Sequence, residues 1–206
     1  MKICKSIRSL KNREVGRRAF ILANGRSMNN EYLSLLKGER IIGMNASTLL
    51  EKQYNFTTDY YVVSDTRFIT HPEKNQFATS LLAPHTVRVL RKELQEFDDP
   101  SLKNRSHYVK ALQRDGFSEN LAAGFFYGCT TTMLAIQLAH YLGVTETYLL
   151  GCDLRYSSES PRFYKESSPQ LEDSFTSVQI WNIANACDVL RAKDKQLINC
   201  SERSFL

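Results

Sequence analysis

The stretch Ala19-Phe20-Ile21-Leu22-Ala23-Asn24-Gly25-Arg26-Ser27 decides the predicted fold, because five apolar residues run directly into a tight polar turn. A short apolar run that ends at Asn-Gly is typical of a buried β-strand followed by a turn. Similar runs predict further strands at 40–44, 59–64, 79–83, 86–90, 145–150 and 196–199. Helical patterns predict helices at 29–37, 46–53, 129–142 and 172–192. Residues 91–120 show no clear periodicity.

Strands that alternate with helices predict an α/β domain with a mostly parallel sheet flanked by helices. The length of 206 residues fits one such domain, which we assign to 19–206. Residues 154–171 are rich in Ser, Tyr, Arg and Pro, and a loop of that length in a compact domain is often a functional lid. The chain is therefore predicted to be a single α/β domain with a short lid loop.

The net charge of +5 is concentrated at the start of the chain. Residues 1–18 hold seven Lys and Arg against one Glu, so the remaining residues sum to −1. A near-neutral body gives no reason to expect a nucleic-acid partner. We assign residues 1–18 to a basic leader, which is either a solvated segment or a peripheral contact with an anionic membrane surface.

Targeting and cysteine patterns indicate the cytoplasm. No apolar run is long enough to predict a transmembrane helix, and the leader lacks the apolar region of a secretory signal. The five cysteines form no C-x-x-C pair, so neither a zinc site nor a disulfide framework is predicted. We expect a cytoplasmic protein, located at the inner face of the membrane if the leader binds lipid. A homo-oligomer is compatible with the sequence.

Compact polar residues stand at the carboxyl ends of four predicted strands: Asn24-Gly25, Asn45, Asp65 and Asp153. In open parallel sheets the ligand site lies outside these ends of the strands. The four positions therefore form a candidate ligand site. The alternative is that Asn, Asp and Gly end strands because they form turns. Asp65 could bond a sugar hydroxyl or a base, hold a metal, or simply cap the segment that follows it.

The loop after the first strand is a candidate phosphate site. Gly25 permits a close approach of backbone to ligand, and Ser27 can cap the next helix, whose free amides attract anions. Arg26 would add a charge-assisted bond. The loop is neither a G-x-G-x-x-G nor a Walker motif. An ordinary helix cap is the alternative.

Two later segments supply further candidates. Thr130, Thr131 and Thr132 precede the most apolar helix and offer hydroxyls and free amides to a second anion. Arg155, Tyr156 and Tyr164 lie in the predicted lid and could close over a phosphorylated donor. The alternatives are a threonine cap and a solvated loop, respectively.

The order of Asn24-Gly25-Arg26-Ser27, Ile42-Gly43-Met44-Asn45, Tyr61-Val62-Val63-Ser64-Asp65 and the block 128–153 resembles that of the MptE-like 6-hydroxymethylpterin diphosphokinase domain. The same layout is similar to that of the bacterial lipooligosaccharide sialyltransferases, which are Rossmann-like single domains that use a CMP-sugar donor. The resemblance covers residues 18–206. Arg26 replaces the proline usual in those sialyltransferases, and residues 154–171 lack the histidine that they use as general base.

The resemblance implies a glycosyltransferase that moves a sugar from a nucleotide-sugar, with CMP-sugar favoured, to a bacterial surface glycan or lipid-linked acceptor. The implied catalytic residues are Asp153, Arg155, Tyr156 and Tyr164. The implied nucleotide-binding residues are Asn24, Gly25, Arg26, Ser27, Asn45, Asp65, Thr130, Thr131 and Thr132. Because no D-x-D element follows a strand, no obligatory metal is expected.

Two alternatives stay open. The first is a pterin-type pyrophosphokinase, in which Asp65 and Asp153 would hold Mg²⁺. The second is a nucleotide- or glycan-binding accessory protein with a decayed site, which the missing lid histidine suggests.

Overall fold

Seven parallel strands form the central sheet of the computed structural model, which describes residues 5–30, 32–156, 161–166, 174–202 and 204–206. The strands are β1 (Arg18–Leu22), β2 (Arg40–Met44), β3 (Tyr60–Val63), β4 (Val87–Arg91), β5 (Ser106–Val109), β6 (Ala111–Leu112), β7 (Phe125–Phe126), β8 (Glu146–Leu150) and β9 (Gln196–Asn199). The α-helices are α1 (Leu49–Tyr54), α2 (Arg67–Thr70), α3 (Pro72–Ala78), α4 (Thr131–Tyr141) and α5 (Thr176–Arg191). Strands β6 and β7 form a separate parallel pair.

The order of strands in the large sheet is β5-β4-β3-β2-β1-β8-β9. The sheet is parallel throughout, with helices packed on it, which confirms the predicted fold class. Its central strands are apolar because both faces are covered; all four residues of β3 are buried. Strand order reverses between β1 and β8, so their carboxyl ends flank the crevice where parallel sheets bind ligands.

Helix α4 lies against the middle of the sheet and is buried on nearly every side. Its residues Met133, Leu134 and Ile136 are completely inaccessible to solvent, as the lack of a polar face predicted. The helix begins beside the carboxyl ends of the strands, because Thr131 contacts Ser64 just after β3. Its first turn therefore points toward the crevice.

Some predicted elements are wrong in detail. Residues 29–37 form two short 3-10 helices, Arg26–Asn30 and Leu33–Leu36, because asparagines favour turns over helix interiors. Residues 79–83, predicted as a strand, form turns after α3, where the Leu81 amide donates to the carbonyl of Gln76. Strand β5 lies in the stretch 91–120, where no pattern was recognised.

Residues 5–17 pack onto the domain. Ile7 and Leu10 are buried and belong to the main apolar core. The amides of Asn12 and Glu14 donate to the carbonyls of Tyr141 and Leu142 at the end of α4. The basic leader thus lies at the negative end of the helix dipole, where cations are favoured. In the described parts of the chain, no helix combines the length and apolarity needed to cross a membrane.

His140, in the last turn of α4, is expected to make the fold sensitive to acid. Its ring contacts Phe117 edge-on, and its Nδ1 lies 3.3 Å from Nζ of Lys195. Burial, followed by the charge of Lys195, lowers the pKa of His140 to about 4, below its ordinary value of 6.5. The unfolded chain therefore takes up the proton first, and stability is lost as pH falls from about 6.5 toward 4.

Urea denaturation should show a loss of about 2 kcal/mol from this group between pH 7 and pH 5. The variant His140→Gln should lose less stability over the same interval. Some acid sensitivity will remain in that variant, because burial also lowers the pKa of His107. An identical loss in the variant and the wild type would contradict the assignment to His140.

Candidate functional site

A cavity of about 570 Å³ lies at the carboxyl ends of the central strands. It is lined by Asn24 and Gly25 after β1, Asn45 after β2, Asp65 after β3, and Asp153 after β8. The structure thus brings together the four strand ends that the sequence singled out. The cavity volume is within the usual range for small-molecule and cofactor sites.

Asn24 holds the ends of β1 and β2 together. Its Nδ2 donates to the carbonyl of Met44 over 3.1 Å, and its Oδ1 accepts from the amide of Ala46 over 2.9 Å. Because both ends of this buried amide are used within the protein, Asn24 shapes the cavity wall more than it offers polar atoms to a ligand.

Asn45 offers an open acceptor at the cavity. Its backbone is left-handed, with φ of 52°, a conformation that asparagine tolerates well. Its carbonyl accepts a hydrogen bond from the Tyr61 hydroxyl over 2.5 Å. Its side-chain Oδ1 is buried, and no described residue donates to it. A buried acceptor without a donor is costly, so a ligand donor at this position would be favoured.

Asp153 forms the floor of the cavity and is held by the first loop. The amide of Ser27 donates to one carboxylate oxygen over 2.9 Å, and the Ser27 hydroxyl donates to the other over 2.5 Å. Gly25 donates its amide to the carbonyl of Gly151 over 2.8 Å. These bonds lock the loops after β1 and β8 together.

The two remaining residues of the predicted phosphate loop do not line the cavity. The polar donors of Ser27 are directed at Asp153, and Arg26 is exposed. The direct phosphate contact predicted for them remains a prediction. Ser27 contributes to the cavity indirectly, because it holds the carboxylate of Asp153, which lines the cavity.

Asp65 is paired with Arg67, a cavity residue that the sequence reading missed. The amide, Nε and Nη2 of Arg67 all donate to the carboxylate of Asp65. Burial acts to raise the pKa of Asp65, but the bonds from Arg67 outweigh burial, and the pKa lies below its ordinary value. Asp65 is thus an ionised carboxylate that is paired with the guanidinium of Arg67.

The start of α4 forms one wall of the cavity, with Thr130, Thr131 and Thr132 in the lining. Thr130 is the N-cap, and its hydroxyl accepts from the amide of Thr132. The hydroxyl of Thr131 bonds that of Ser64 over 2.7 Å. The threonine hydroxyls are thus used within the protein. The amides of Thr132 and Met133 are also used, by the hydroxyl and the carbonyl of Thr130. The positive end of the helix dipole still faces this wall of the cavity.

Aromatic and cationic side chains form the rim. The guanidinium of Arg155 lies over the ring of Phe205 at 4.4 Å, and that of Arg162 lies over the ring of Tyr156 at 5.1 Å. The Tyr156 hydroxyl is 3.5 Å from Oε1 of Gln179. Gln179 is buried on α5, a position that a helical pattern alone would not mark as part of a site.

Tyr164 lies beside the main cavity and lines a smaller one that adjoins it. Its hydroxyl donates to Oε1 of Glu166 over 3.2 Å, and burial raises its pKa. It is therefore not in the lining of the main cavity, in contrast to Arg155 and Tyr156. Its ring packs against Phe163 and Phe77.

Residues 161–166 of the predicted lid pack over the first loop. Arg162 forms an antiparallel bridge with Gly25, and the Phe163 amide donates to the carbonyl of Asn24 over 3.3 Å. Residues 157–160 and 167–171 of the predicted lid lie outside the described residues.

Comparisons with solved structures show the fold. A MAf glycosyltransferase from Magnetospirillum magneticum AMB-1 is 15% identical, with a TM-score of 0.61, over 97% of this chain. The present chain spans only 36% of that protein. The sialyltransferase CstII from Campylobacter jejuni, solved with CMP-3FNeuAc, is 15% identical with a TM-score of 0.59, over 92% of this chain and 84% of that one. A mammalian sialyltransferase is 13% identical with a TM-score of 0.53, over 91% of this chain and 70% of that one.

Comparisons of sequence show the family. No curated protein sequence matches the chain. The family model described as 6-hydroxymethylpterin diphosphokinase MptE-like matches residues 1–159, which is more than three quarters of the chain. The resemblance seen in the sequence motifs is confirmed: the chain belongs to the MptE-like family.

Proposed function

We propose that this protein is a sialyltransferase-like glycosyltransferase, which moves a sugar from a nucleotide-sugar, with CMP-sugar favoured, to a bacterial surface glycan or lipid-linked acceptor. The proposal rests on the cavity of about 570 Å³, which lies where the strand order reverses, between β1 and β8. The fold likeness to CstII, whose structures hold CMP, CMP-3FNeuAc and a trisaccharide acceptor, supports the proposal.

Donor binding would use the open groups of the cavity. The buried Oδ1 of Asn45 would accept a hydrogen bond from the base or ribose. The positive end of α4 would face the phosphate, because helix N-termini favour anions. Arg67, Arg155 and Arg162 also line the cavity and outnumber its two carboxylates, so an anionic donor is electrostatically favoured.

Sugar transfer breaks the bond between the anomeric carbon and the phosphate oxygen, and negative charge develops on the leaving nucleotide. Preorganised donors that face this charge lower the barrier. Arg155 and Tyr156 line the cavity and would take that task. Asp153, with both oxygens bonded to Ser27, would hold the loop that carries them. The mechanism requires no obligatory metal.

A thermal-shift screen with CMP-, UDP- and GDP-sugars tests the proposal. The matching donor at a hundred times its Kd should add about 2.7 kcal/mol to the folding stability and raise the melting temperature by several degrees. The selected donor should then be consumed in the presence of a glycan acceptor. No stabilisation by any nucleotide-sugar would overturn the proposal.

A pyrophosphokinase is the second candidate, and the family match favours it. Its Mg²⁺ would need carboxylates from Asp65 and Asp153, but these are already bonded to Arg67 and Ser27. Within the described ranges, His, Cys, Asp and Glu side chains form no group of three that could hold a metal. This donor set does not fit Mg²⁺ well. Release of AMP from ATP with a hydroxymethylpterin acceptor would favour this candidate over glycosyl transfer.

An accessory protein that binds nucleotide or glycan is the third candidate. The lack of a histidine in residues 154–171 is the reason to consider an accessory protein. Tight nucleotide binding without turnover on any acceptor would favour it.

The proposal includes a peripheral contact between the leader and anionic lipid at the inner face of the cytoplasmic membrane. The exposed cations of the leader include Lys5, Arg8, Lys11 and Arg13, whereas the exposed Arg17 and Arg18 pair with Glu14 and Glu39. The first four lie near the end of α4 opposite the cavity, about 16 Å away along an eleven-residue helix. Lipid bound there leaves the cavity mouth open to solvent.

Replacing these four residues with glutamine should abolish binding to vesicles that contain anionic lipid. Each basic residue near such a surface contributes about 1 kcal/mol, so the four together correspond to roughly a thousandfold in affinity. Deletion of the leader is a poorer test, because Ile7 and Leu10 are part of the core. Unchanged vesicle binding by the quadruple variant would rule out the membrane contact.

A further inference from the structure

A small cavity of about 40 Å³ shares lining residues with two larger ones. With the main cavity it shares Asn24, Asn45, Asp65, Arg67 and Arg162. With an outer cavity of about 440 Å³, beside α3, it shares Lys74, Tyr164 and Glu166. The small cavity has room for one water or one hydroxyl group but not for a sugar ring. It is therefore a junction between two spaces that could each hold a larger ligand.

Two buried oxygens line this junction without a donor. They are Oδ1 of Asn45 and Oε2 of Glu166, and no described residue gives either a hydrogen bond. Buried acceptors are nearly always satisfied by protein or ligand. Two such atoms at one small cavity indicate a ligand that brings hydroxyl or amine donors to this point.

The carboxylate of Glu166 is fixed, with one oxygen available. Its side chain is only 8% exposed. Oε1 accepts from Nζ of Lys74 over 3.0 Å and from the Tyr164 hydroxyl over 3.2 Å. Nε of Arg162 forms an ion pair with Oε2 at 3.7 Å, a distance beyond that of a hydrogen bond. The lone pairs of Oε2 are therefore not used by these neighbours.

Asp65 and Asp153, the two carboxylates that line the main cavity, are already engaged. Asp65 accepts three bonds from Arg67, and both oxygens of Asp153 are bonded to Ser27. A proton acceptor for a substrate hydroxyl must lie within hydrogen-bonding reach of that hydroxyl and have a lone pair to offer. Among these three carboxylates, Glu166 satisfies that requirement best.

We propose that Glu166 is the general base for the acceptor hydroxyl, and that the outer cavity beside α3 receives the acceptor glycan. The proposal rests on the proposed glycosyl transfer. The donor would occupy the main cavity, and the acceptor hydroxyl would enter the junction. The anomeric carbon of the donor would lie on the opposite side of this hydroxyl from Glu166.

The transfer balances without a further reactant. Oε2 of Glu166 takes the proton of the acceptor hydroxyl as the acceptor oxygen forms its bond to the anomeric carbon. The bond from that carbon to the nucleotide phosphate breaks, and its electron pair leaves with the phosphate. The proton passes to solvent after the products depart. Glu166 would thus perform in this chain the task of a lid histidine.

Steady-state kinetics of Glu166→Gln with the donor identified by screening test this role. The amide preserves the shape of the side chain but cannot take the proton, so kcat should fall 10²- to 10⁴-fold. The Kd of the nucleotide and the melting temperature should stay within twofold and within two degrees of the wild type. Glu119→Gln, an exposed residue paired with Lys193, is the matched control and should leave kcat unchanged.

Chemical rescue distinguishes a general base from a residue that only holds the lid in place. Added formate or azide should raise the kcat of Glu166→Ala at least tenfold, because a small anion can fill the space left by the side chain and take the proton. An unchanged kcat in Glu166→Gln would overturn the role of Glu166. The role of Glu166 would also be overturned if formate failed to raise the kcat of Glu166→Ala and if this variant bound the nucleotide correspondingly more weakly. A wild-type protein that transfers sugar from no donor would overturn the proposed function, and this role with it.

Discussion

Replacing Asp98 with alanine is expected to lower the free energy of unfolding by about 3–5 kcal/mol, because it leaves a buried cation without its counter-ion. Arg88 on β4 and Asp98 have fully buried side chains. Two bonds join them, Nη1 to Oδ2 over 2.8 Å and Nη2 to Oδ1 over 2.7 Å. The Tyr108 hydroxyl on β5 also donates to Asp98 over 2.6 Å. The alanine variant would break all three contacts.

Urea denaturation of three variants checks this expectation. Asp99→Ala removes an exposed neighbour that caps a short 3-10 helix through the amide of Ser101, and should cost about 1 kcal/mol. Replacing the pair together, as Arg88→Met with Asp98→Leu, should recover most of the loss, because no buried charge remains. A loss in Asp98→Ala no greater than that in Asp99→Ala would show that the pair is not buried as described.

Replacing Gly25 with alanine is expected to disrupt the floor of the cavity. An added Cβ would lie 2.4 Å from Cγ of Asp153 and 2.5 Å from the carbonyl oxygen of Gly151. Neither atom is the free end of a flexible chain, since Asp153 is held by Ser27. The loops after β1 and β8 must therefore separate. We expect a loss of about 1–3 kcal/mol in stability from overpacking, and at least a tenfold loss of nucleotide affinity.

The variant Gly38→Ala distinguishes this effect from simple backbone strain. Gly38 has φ of 87°, and no atom lies within 4 Å of the position that a Cβ would take. Alanine there should cost about 1 kcal/mol through its backbone and leave nucleotide affinity unchanged. Calorimetric titration and thermal melts of both variants give the comparison. Wild-type nucleotide affinity in Gly25→Ala would contradict the described packing of the two loops.

The sequence was sufficient for the central part of the fold because the central strands are continuous apolar runs. Residues 40–44 and 196–199 were predicted with the bounds that the structure has. The burial of α4 followed from its lack of a polar face. Parallel pairing followed from alternation of strands and helices, which also placed Asn24, Asn45, Asp65 and Asp153 at one edge of the sheet.

Elements that depend on distant partners could not be predicted in the same way. Strand β5 has the sequence Ser-His-Tyr-Val, which is too polar to signal a strand. It is held by pairing with β4 and by the bonds of Ser106 with Arg88 and of Tyr108 with Asp98. Arg88 has the sequence appearance of an exposed residue, yet its side chain is fully buried. Its environment is set by contacts that local periodicity does not contain.

The site was predictable in position but not in its hydrogen bonds. Ser27 was predicted to bind phosphate, but its partner Asp153 lies 126 residues away. Lys74 and Glu166 are 92 residues apart, and no local pattern marks either one, because their contact forms only where the lid packs against α3. Turn chemistry identifies residues at strand ends, whereas the partners of each side chain emerge only when the loops meet.

Calorimetric titration of CMP and of a CMP-sugar into three proteins tests most directly whether the strand-end cavity is a nucleotide site. The three proteins are the wild type, Asn45→Gly and Asn55→Gly. The two variants are a matched pair, because both asparagines have left-handed backbones, with φ of 52° and 54°, that glycine adopts without strain. Only Asn45 lines the cavity. We expect one site in the wild type, at least tenfold weaker binding by Asn45→Gly, and wild-type affinity in Asn55→Gly. No binding by the wild type, or equal affinities in the two variants, would contradict this expectation.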